Sequence, residues 1–129
     1  ENPPKIWDAV RRRWLVLTPE EWVRQHLIRL LVERGGVPPG NVSQEYPVAL
    51  SGAAQRAETA GLLLAECKAP DVPLGREVFA QAVRYNSVVA APYVLITNGL
   101  LHCCSSLDRS TGRYAVVEGL PDLSPFLGI

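Results

Sequence analysis

The feature that most constrains the fold is an uninterrupted apolar run over residues 61–65 that ends in Glu66-Cys67-Lys68. The run has the length of a strand and is far shorter than the roughly 20 residues of a membrane span. A strand that is apolar at successive positions is typical of a sheet covered on both faces, and a charged end marks the edge where it emerges. We therefore predict a buried strand over residues 61–68, central in a mixed sheet with helices packed on it.

Two helices are predicted on either side of this strand. Thr18-Pro19-Glu20-Glu21 is a strong helix start, because Thr18 can cap, proline suits the first helical position and a glutamate follows three residues after the cap. This helix should run over residues 18–33, and the second over residues 76–89. The predicted core-facing positions of the first helix are Val23, Leu27, Leu30 and Leu31. On the second helix, one stripe contains Phe79, Ala82, Val83 and Asn86, and Gln81 and Tyr85 lie one turn apart on another.

The remaining elements are strands and turns. Residues 42–50 alternate well enough to form a strand despite Pro47, and residues 92–97 form another that is closed by the hairpin signal Asn98-Gly99. Further strands are predicted over residues 100–107 and 113–117, and residues 7–17 are expected to be a short lead-in ending in an extended stretch. The order of elements indicates one α/β domain over residues 1–129.

Composition narrows the function classes. The chain has 129 residues, 47% of them hydrophobic, and 13 basic residues balance 13 acidic ones, so no global positive field draws it to DNA or to a membrane. Three cysteines, two of them adjacent, do not form the paired framework of a small secreted domain, and no signal-peptide pattern is seen. We expect a soluble protein of the cytoplasm, and the absence of methionine suggests an incompletely recorded chain.

The charged strand end carries the chemistry. The two-residue period of a strand puts Glu66 and Lys68 on one face and Cys67 on the other. A carboxylate that holds Mg²⁺ beside a lysine that steadies the attacking water is what phosphodiester hydrolysis needs. An ordinary solvated strand end has the same three-residue pattern, so the tripeptide alone does not distinguish a catalytic site from such a strand end.

Four motifs in combination carry a family resemblance. They are residues 17–25 (LTPEEWVRQ), residues 64–70 (LAECKAP), residues 81–86 (QAVRYN) and residues 97–100 (TNGL). In this order and spacing they resemble the N-terminal nuclease domain of type I restriction enzyme R subunits, from about Trp14 to Pro121. The resemblance implies a restriction-endonuclease-like PD-(D/E)xK fold, with an αβββαβ core plus a C-terminal hairpin, that cuts DNA with Mg²⁺, beside a separate motor or specificity subunit.

The resemblance also assigns candidate roles to individual residues. Glu66 matches the second acidic metal ligand, Lys68 the motif lysine, and Gln81 with Tyr85 a Q-x-x-x-Y pattern that faces the catalytic site. Glu20 matches an acidic residue of the first helix that adds a metal contact, and its helical stripe predicts that it points inward; simple compensation of the helix dipole is the alternative. The neighbours of Tyr85 on the second helix complete the predicted DNA contacts: Arg84 and Asn86.

The sequence departs from the family pattern at one point. An aspartate should open a strand ahead of Glu66, but Glu58 stands there, and no turn residue near Leu62 would let it face Glu66. Either the site is natively degenerate, or a strand is unrecorded between about residues 57 and 61, which predicts a chain break between residues 52 and 61. The first alternative makes the chain a silent nucleic-acid-binding or assembly module, and the second a Mg²⁺-dependent DNA endonuclease.

One further basic segment is left unassigned by these motifs. Arg11-Arg12-Arg13 lies between Trp7 and Trp14. Such a segment either contacts phosphate groups or is a solvated run of charge.

Overall fold

The computed structural model describes residues 3–38, 42 and 62–119, and these form six strands and two helices. In chain order they are β1 (Lys5–Asp8), β2 (Arg13–Val16), α1 (Pro19–Glu33), β3 (Leu63–Cys67), α2 (Arg76–Val89), β4 (Tyr93–Thr97), β5 (His102–Asp108) and β6 (Arg113–Val117). The predicted strand over residues 42–50 and the predicted break between residues 52 and 61 lie outside the described part of the chain, apart from Val42.

The main sheet has the order β3-β4-β5-β6 and is mixed. β3 and β4 are parallel because α2 carries the chain back between them, while the β4–β5 and β5–β6 pairs are antiparallel hairpins. The α/β prediction is thereby confirmed. Among the described residues β3 lies at one edge of this sheet. The central position predicted for β3 depends on residues outside the described part of the chain and stays a prediction.

The two helices cover opposite faces of this sheet. On one face, Val78 and Ala82 of α2 pack with Val94 and Ile96 of β4, and Leu64 of β3 joins them. The alternate residues of the same strands point the other way, so that Leu63 and Tyr93 pack with Leu31 of α1. Burying each such aliphatic side chain stabilises the fold by roughly 1.5–3 kcal/mol, and this fixes which face each helix occupies.

Helix α1 begins as predicted, but its buried stripe differs. The Thr18 hydroxyl accepts from the Glu21 N–H at 3.0 Å, and Pro19 occupies the first turn. Leu30 was expected in the core and is 39% exposed, whereas Glu21 and Gln25 are buried. The polar residues are tolerated inside because the Gln25 amide donates to the Glu21 carboxylate at 2.6 Å and Arg24 pairs with it at 2.5 Å.

The lead-in predicted before α1 is a hairpin. β1 and β2 pair antiparallel in a separate two-stranded sheet. The fully buried Asp8 closes the turn, because its carboxylate accepts from the backbone N–H groups of Val10 and Arg11 at 2.9 and 3.0 Å. An aspartate that binds the backbone two and three residues further on is a local turn signal, and it is the signal in the sequence that could have predicted this hairpin.

The hairpin signal Asn98-Gly99 is confirmed between β4 and β5, with a longer turn than expected. The Asn98 side-chain oxygen accepts from the N–H groups of Leu100 and Leu101 at 2.9 and 2.8 Å, so β5 begins only at His102. Gly99 has φ +89°, and a Cβ there would lie 3.1 Å from Val23 of α1. Glycine is therefore required both by the backbone and by the helix beside it.

Candidate functional site at the end of β3

The end of β3 presents a carboxylate and an ammonium group on the α2 side of the sheet. Glu66 and Lys68 are two residues apart and share this face, as strand alternation predicts. Lys68 Nζ lies 3.4 Å from Glu66 Oε2, and the two side chains are 24% and 22% exposed. The Lys68 N–H donates to the Thr97 carbonyl at 2.9 Å, which extends the β3–β4 ladder and fixes the strand end.

Helix α2 adds an amide to this pair. Lys68 Nζ donates to Gln81 Oε1 at 3.5 Å, a long contact between residues 13 apart in the chain. Gln81 immediately precedes Ala82, which is fully buried against the sheet, so the packing of α2 sets the position of the amide. We define Glu66, Lys68 and Gln81 as the β3 cluster; it combines one anion, one cation and one neutral amide, half-buried but open to solvent.

Glu20 does not join the β3 cluster. It lies on α1, across the sheet from α2, and its side chain is 46% exposed and paired with Arg24 at 2.8 Å. The expectation that Glu20 points toward the body is wrong, because the neighbouring Glu21 takes the interior position. Val23 and Leu31 are buried as predicted, but the buried face also takes in Glu21, Gln25 and Ile28.

The face of β3 opposite the cluster carries Cys67 beside the first turns of α1. Burial raises the pKa of the Cys67 thiol from its usual 9.0 to about 11. The positive charge of Arg24 acts in the opposite direction, and the carboxylates of Glu66, Glu20 and Glu21 add to the increase. Cys67 is therefore a protonated, buried thiol, which is a structural rather than a nucleophilic state.

The predicted DNA contacts of α2 differ in exposure. Arg84 is exposed and Tyr85 is half-buried, one helical turn beyond Gln81. Asn86 is 1% exposed, and its amide is used internally. Its Nδ2 donates to the Ala91 carbonyl at 3.0 Å and to the Tyr114 hydroxyl at 3.1 Å, and its Oδ1 accepts from the Ala91 N–H at 2.8 Å. This placement gives Asn86 the task of holding the end of α2, and leaves it unable to reach DNA.

The chain matches the model of a protein family described as "Type I restriction enzyme R protein N terminus (HSDR_N)" over residues 19–121, about four-fifths of its length. It belongs to this family. The resemblance seen in the sequence is confirmed, and with it the α/β fold of the restriction-endonuclease kind. No curated protein and no solved structure matches the chain.

The matched residues contain the whole β3 cluster of this type I restriction R N-terminal domain, and they exclude the β1–β2 hairpin. The family pattern thus covers both helices and the main sheet. None of the helices in the described part of the domain is long and apolar enough to cross a membrane.

The donor set for the metal implied by the family is incomplete among residues 3–38, 42 and 62–119. Glu66 is the carboxylate of the β3 cluster, and Mg²⁺ prefers carboxylate oxygen. No group of three or more histidine, cysteine, aspartate or glutamate side chains that could hold a metal ion occurs in this part of the R N-terminal domain. The chemistry of the Glu66 carboxylate suits a metal ligand, whereas the Glu20 carboxylate is paired with Arg24.

Three side chains that sequence reasoning missed support the site. Thr97 Oγ1 is within hydrogen-bond distance of His102 Nδ1 at 2.7 Å and accepts from the Gly99 N–H at 3.0 Å, and Asn98 Nδ2 donates to the Val72 carbonyl at 2.8 Å. The Asn98 bond ties the loop after β3 to the turn after β4, and the Thr97 contacts close that turn. Two successive polar residues at a strand end, Thr97 and Asn98, are the sequence signal that could have indicated these contacts in addition to the turn.

Proposed function

We propose that this R N-terminal domain engages the phosphodiester backbone of DNA at the β3 cluster and hydrolyses it with the aid of Mg²⁺. The observation that carries the proposal is the Lys68 ammonium group, held 3.4 Å from the Glu66 carboxylate and 3.5 Å from the Gln81 carbonyl oxygen. A half-buried cation at a strand end can contact a phosphate oxygen, and the adjacent carboxylate can orient a water molecule.

The roles divide among the three side chains. Lys68 would bind the scissile phosphate or its attacking water, Gln81 would position the lysine, and Glu66 would be a ligand of the metal. Mg²⁺ at this place would supply neutralisation of the phosphate charge, with further ligands from water and from the phosphate. Tyr85 and Arg84, further along α2, are proposed DNA contacts.

The decisive test compares the parent chain with Lys68→Ala on supercoiled plasmid DNA in the presence of Mg²⁺. We expect the variant to nick or linearise the plasmid at least about 100-fold more slowly, because the group that stabilises charge at the phosphate is removed. Folding should be little changed, since a solvent-accessible lysine at a strand end contributes little packing.

Arg113→Ala is the matched control, because Arg113 is an exposed basic residue on β6, the opposite edge of the described sheet. It should cleave as the parent does. Equal cleavage by the parent and by Lys68→Ala would refute the catalytic assignment of Lys68.

A second function is favoured by the single carboxylate of the β3 cluster. One carboxylate that is already paired with a lysine can serve a binding site without chemistry, so a silent DNA-binding or assembly module of the same family is the alternative. This module would retain DNA affinity that falls with rising salt, yet show no cleavage with Mg²⁺ or Mn²⁺. A motor or specificity subunit on a separate chain is the partner that either function would serve.

A further inference from the structure

The β1–β2 hairpin exposes two tryptophans side by side. Trp7 and Trp14 are directly opposite each other in the register, and their ring centroids are 5.3 Å apart with an interplanar angle of 64°. They are 44% and 61% exposed. Because burial of an indole is strongly favourable, two exposed indoles on one short hairpin indicate a binding surface.

The strand register puts both tryptophans on one face of the hairpin, which we call the outer face. Alternate pairs of the ladder point to alternate faces, so Trp7 and Trp14 share one face with Lys5 and Val16. All four of these side chains are exposed. The intervening pair Ile6 and Leu15 is half-buried, and Asp8 is completely buried. The inner face is used within the protein, and the outer face is open.

Positive charge surrounds the exposed indoles. Arg11 pairs with Asp8 at 2.6 Å, whereas Lys5, Arg12 and Arg13 are exposed. The formal net charge of the whole chain is zero, so this concentration of cations on one hairpin is a local feature and not a consequence of composition. It is complementary to a polyanion.

The turn holds the basic tip in a defined conformation. The Asp8 carboxylate accepts from the N–H groups of Val10 and Arg11, and the Arg12 N–H donates to the Asp8 carbonyl at 2.7 Å. Arg12 has φ +57°, the left-handed region that side-chain-bearing residues seldom adopt. A turn closed by these bonds limits the conformational entropy lost when the arginines bind a ligand.

We propose that the outer face of the β1–β2 hairpin is a binding surface for single-stranded DNA, with the Trp7–Trp14 pair stacking on unpaired bases and with Lys5 and Arg12 contacting phosphates. Aromatic faces flanked by cations are the arrangement that binds single strands without reading sequence. In a duplex the base faces are stacked on one another and closed to the indoles. The hairpin lies outside the residues matched by the family, so the proposal stands on the hairpin alone and not on cleavage at the β3 cluster.

The test measures binding of a fluorescent oligothymidine of about 15 nucleotides to the full chain by anisotropy, in EDTA so that no cleavage occurs. Trp14→Ala is expected to weaken binding about tenfold, the loss typical of one base-stacking aromatic. The matched control is Trp22→Ala, because Trp22 is 45% exposed but lies on α1 against His26. It should bind as the parent does.

Two more variants separate stacking from charge and from folding. Trp14→Phe keeps an aromatic face and should retain most of the affinity, whereas Arg12→Gly removes a cation at a position where the backbone suits glycine and should weaken binding without loss of stability. Circular dichroism and the thermal midpoint check that each variant is folded. Arg113→Ala, on the opposite edge of the described sheet, should bind the oligonucleotide as tightly as the parent. Because EDTA removes the metal, absence of plasmid cleavage in the nuclease test leaves this result unaffected.

The proposal is overturned by any of four results. The parent does not bind oligothymidine; Trp14→Ala binds it as tightly as the parent; Trp22→Ala loses as much affinity as Trp14→Ala; or a duplex of equal length binds as tightly as the single strand. The last result would assign the hairpin to phosphate contacts alone.

Discussion

At the residue scale, neighbours along β3 have opposite environments. Lys68 and Glu66 face α2 and remain accessible to solvent, while Cys67 between them faces α1 and is 8% exposed. The alternation of a strand thus separates a solvent-accessible charged pair from a buried thiol by a single residue. Cys67 contributes to the packing between β3 and α1.

The raised pKa of Cys67 predicts a specific pH dependence of stability. In the unfolded chain the thiol ionises near pH 9, whereas in the folded protein it keeps its proton up to about pH 11. The stabilisation that comes from keeping this thiol protonated is therefore fully present below pH 9 and is lost as the pH rises from 9 to about 11. The total loss of unfolding free energy is about 2–3 kcal/mol. Cys67→Ala should be less stable than the parent at pH 7, and the difference in unfolding free energy should shrink toward pH 11.

Urea unfolding of both proteins at pH 7, 9 and 10.5 measures this difference, and groups that titrate in both proteins cancel from it. A difference that is constant with pH would show that the thiol ionises equally in the folded and unfolded states.

At the element scale, helix α1 depends on its cap as well as on its packing. Its first turn contains two acidic residues, Glu20 and Glu21, which complement the positive end of the helix dipole. The Thr18 hydroxyl satisfies a backbone N–H that would otherwise lack a partner within the helix. The same turn positions the Glu21 carboxylate to accept from the Gln25 amide and to pair with Arg24. Loss of the Thr18 cap would therefore disturb these buried polar contacts near Cys67.

Thr18→Ala is accordingly expected to lower the free energy of unfolding by about 1 kcal/mol, because the cap hydrogen bond is lost. Thr18→Ser keeps the hydroxyl and should stay within a few tenths of a kcal/mol of the parent. Chemical denaturation monitored by circular dichroism measures both. Equal destabilisation by alanine and serine would mean that the methyl group of Thr18, and not its hydroxyl, carries the effect.

At the scale of the whole molecule, the net charge is balanced, while exposed cations are concentrated on the β1–β2 hairpin. The chain is neutral, with 13 acidic and 13 basic residues, and the exposed cations of the hairpin are on a two-stranded sheet distinct from the main sheet. The proposed binding of nucleic acid therefore depends on a few local contacts and not on the electrostatic field of the entire protein.

This distribution predicts a shallow salt dependence. Two phosphate contacts, from Lys5 and Arg12, correspond to a slope of about −1.4 for log K against log salt concentration on a single strand. Arg12→Gly should make the slope less negative by about 0.7. Titrations of oligothymidine binding over a range of NaCl concentrations give both slopes, and a slope several times steeper than about −1.4 would show that many more cations take part.

The sequence by itself determined the local elements and the family. The bounds of α2 and β6, the cap of α1 and the hairpin after β4 agree with the sequence patterns, because capping, turn residues and helical period act over a few neighbouring residues. Strand alternation alone also suffices to put Glu66 and Lys68 on a common face.

Tertiary structure decided the positions that depend on contacts between distant segments. Whether Glu20 or Glu21 points inward differs by one residue of helix rotation, and the burial of Glu21 with Arg24 and Gln25 settles it. Asn86 lies among predicted surface contacts in the sequence, yet Ala91 and Tyr114 use its amide in the interior. Gln81 meets Lys68 only because α2 packs across β3 and β4, since the free energy of burying Val78 and Ala82 fixes the helix on that face.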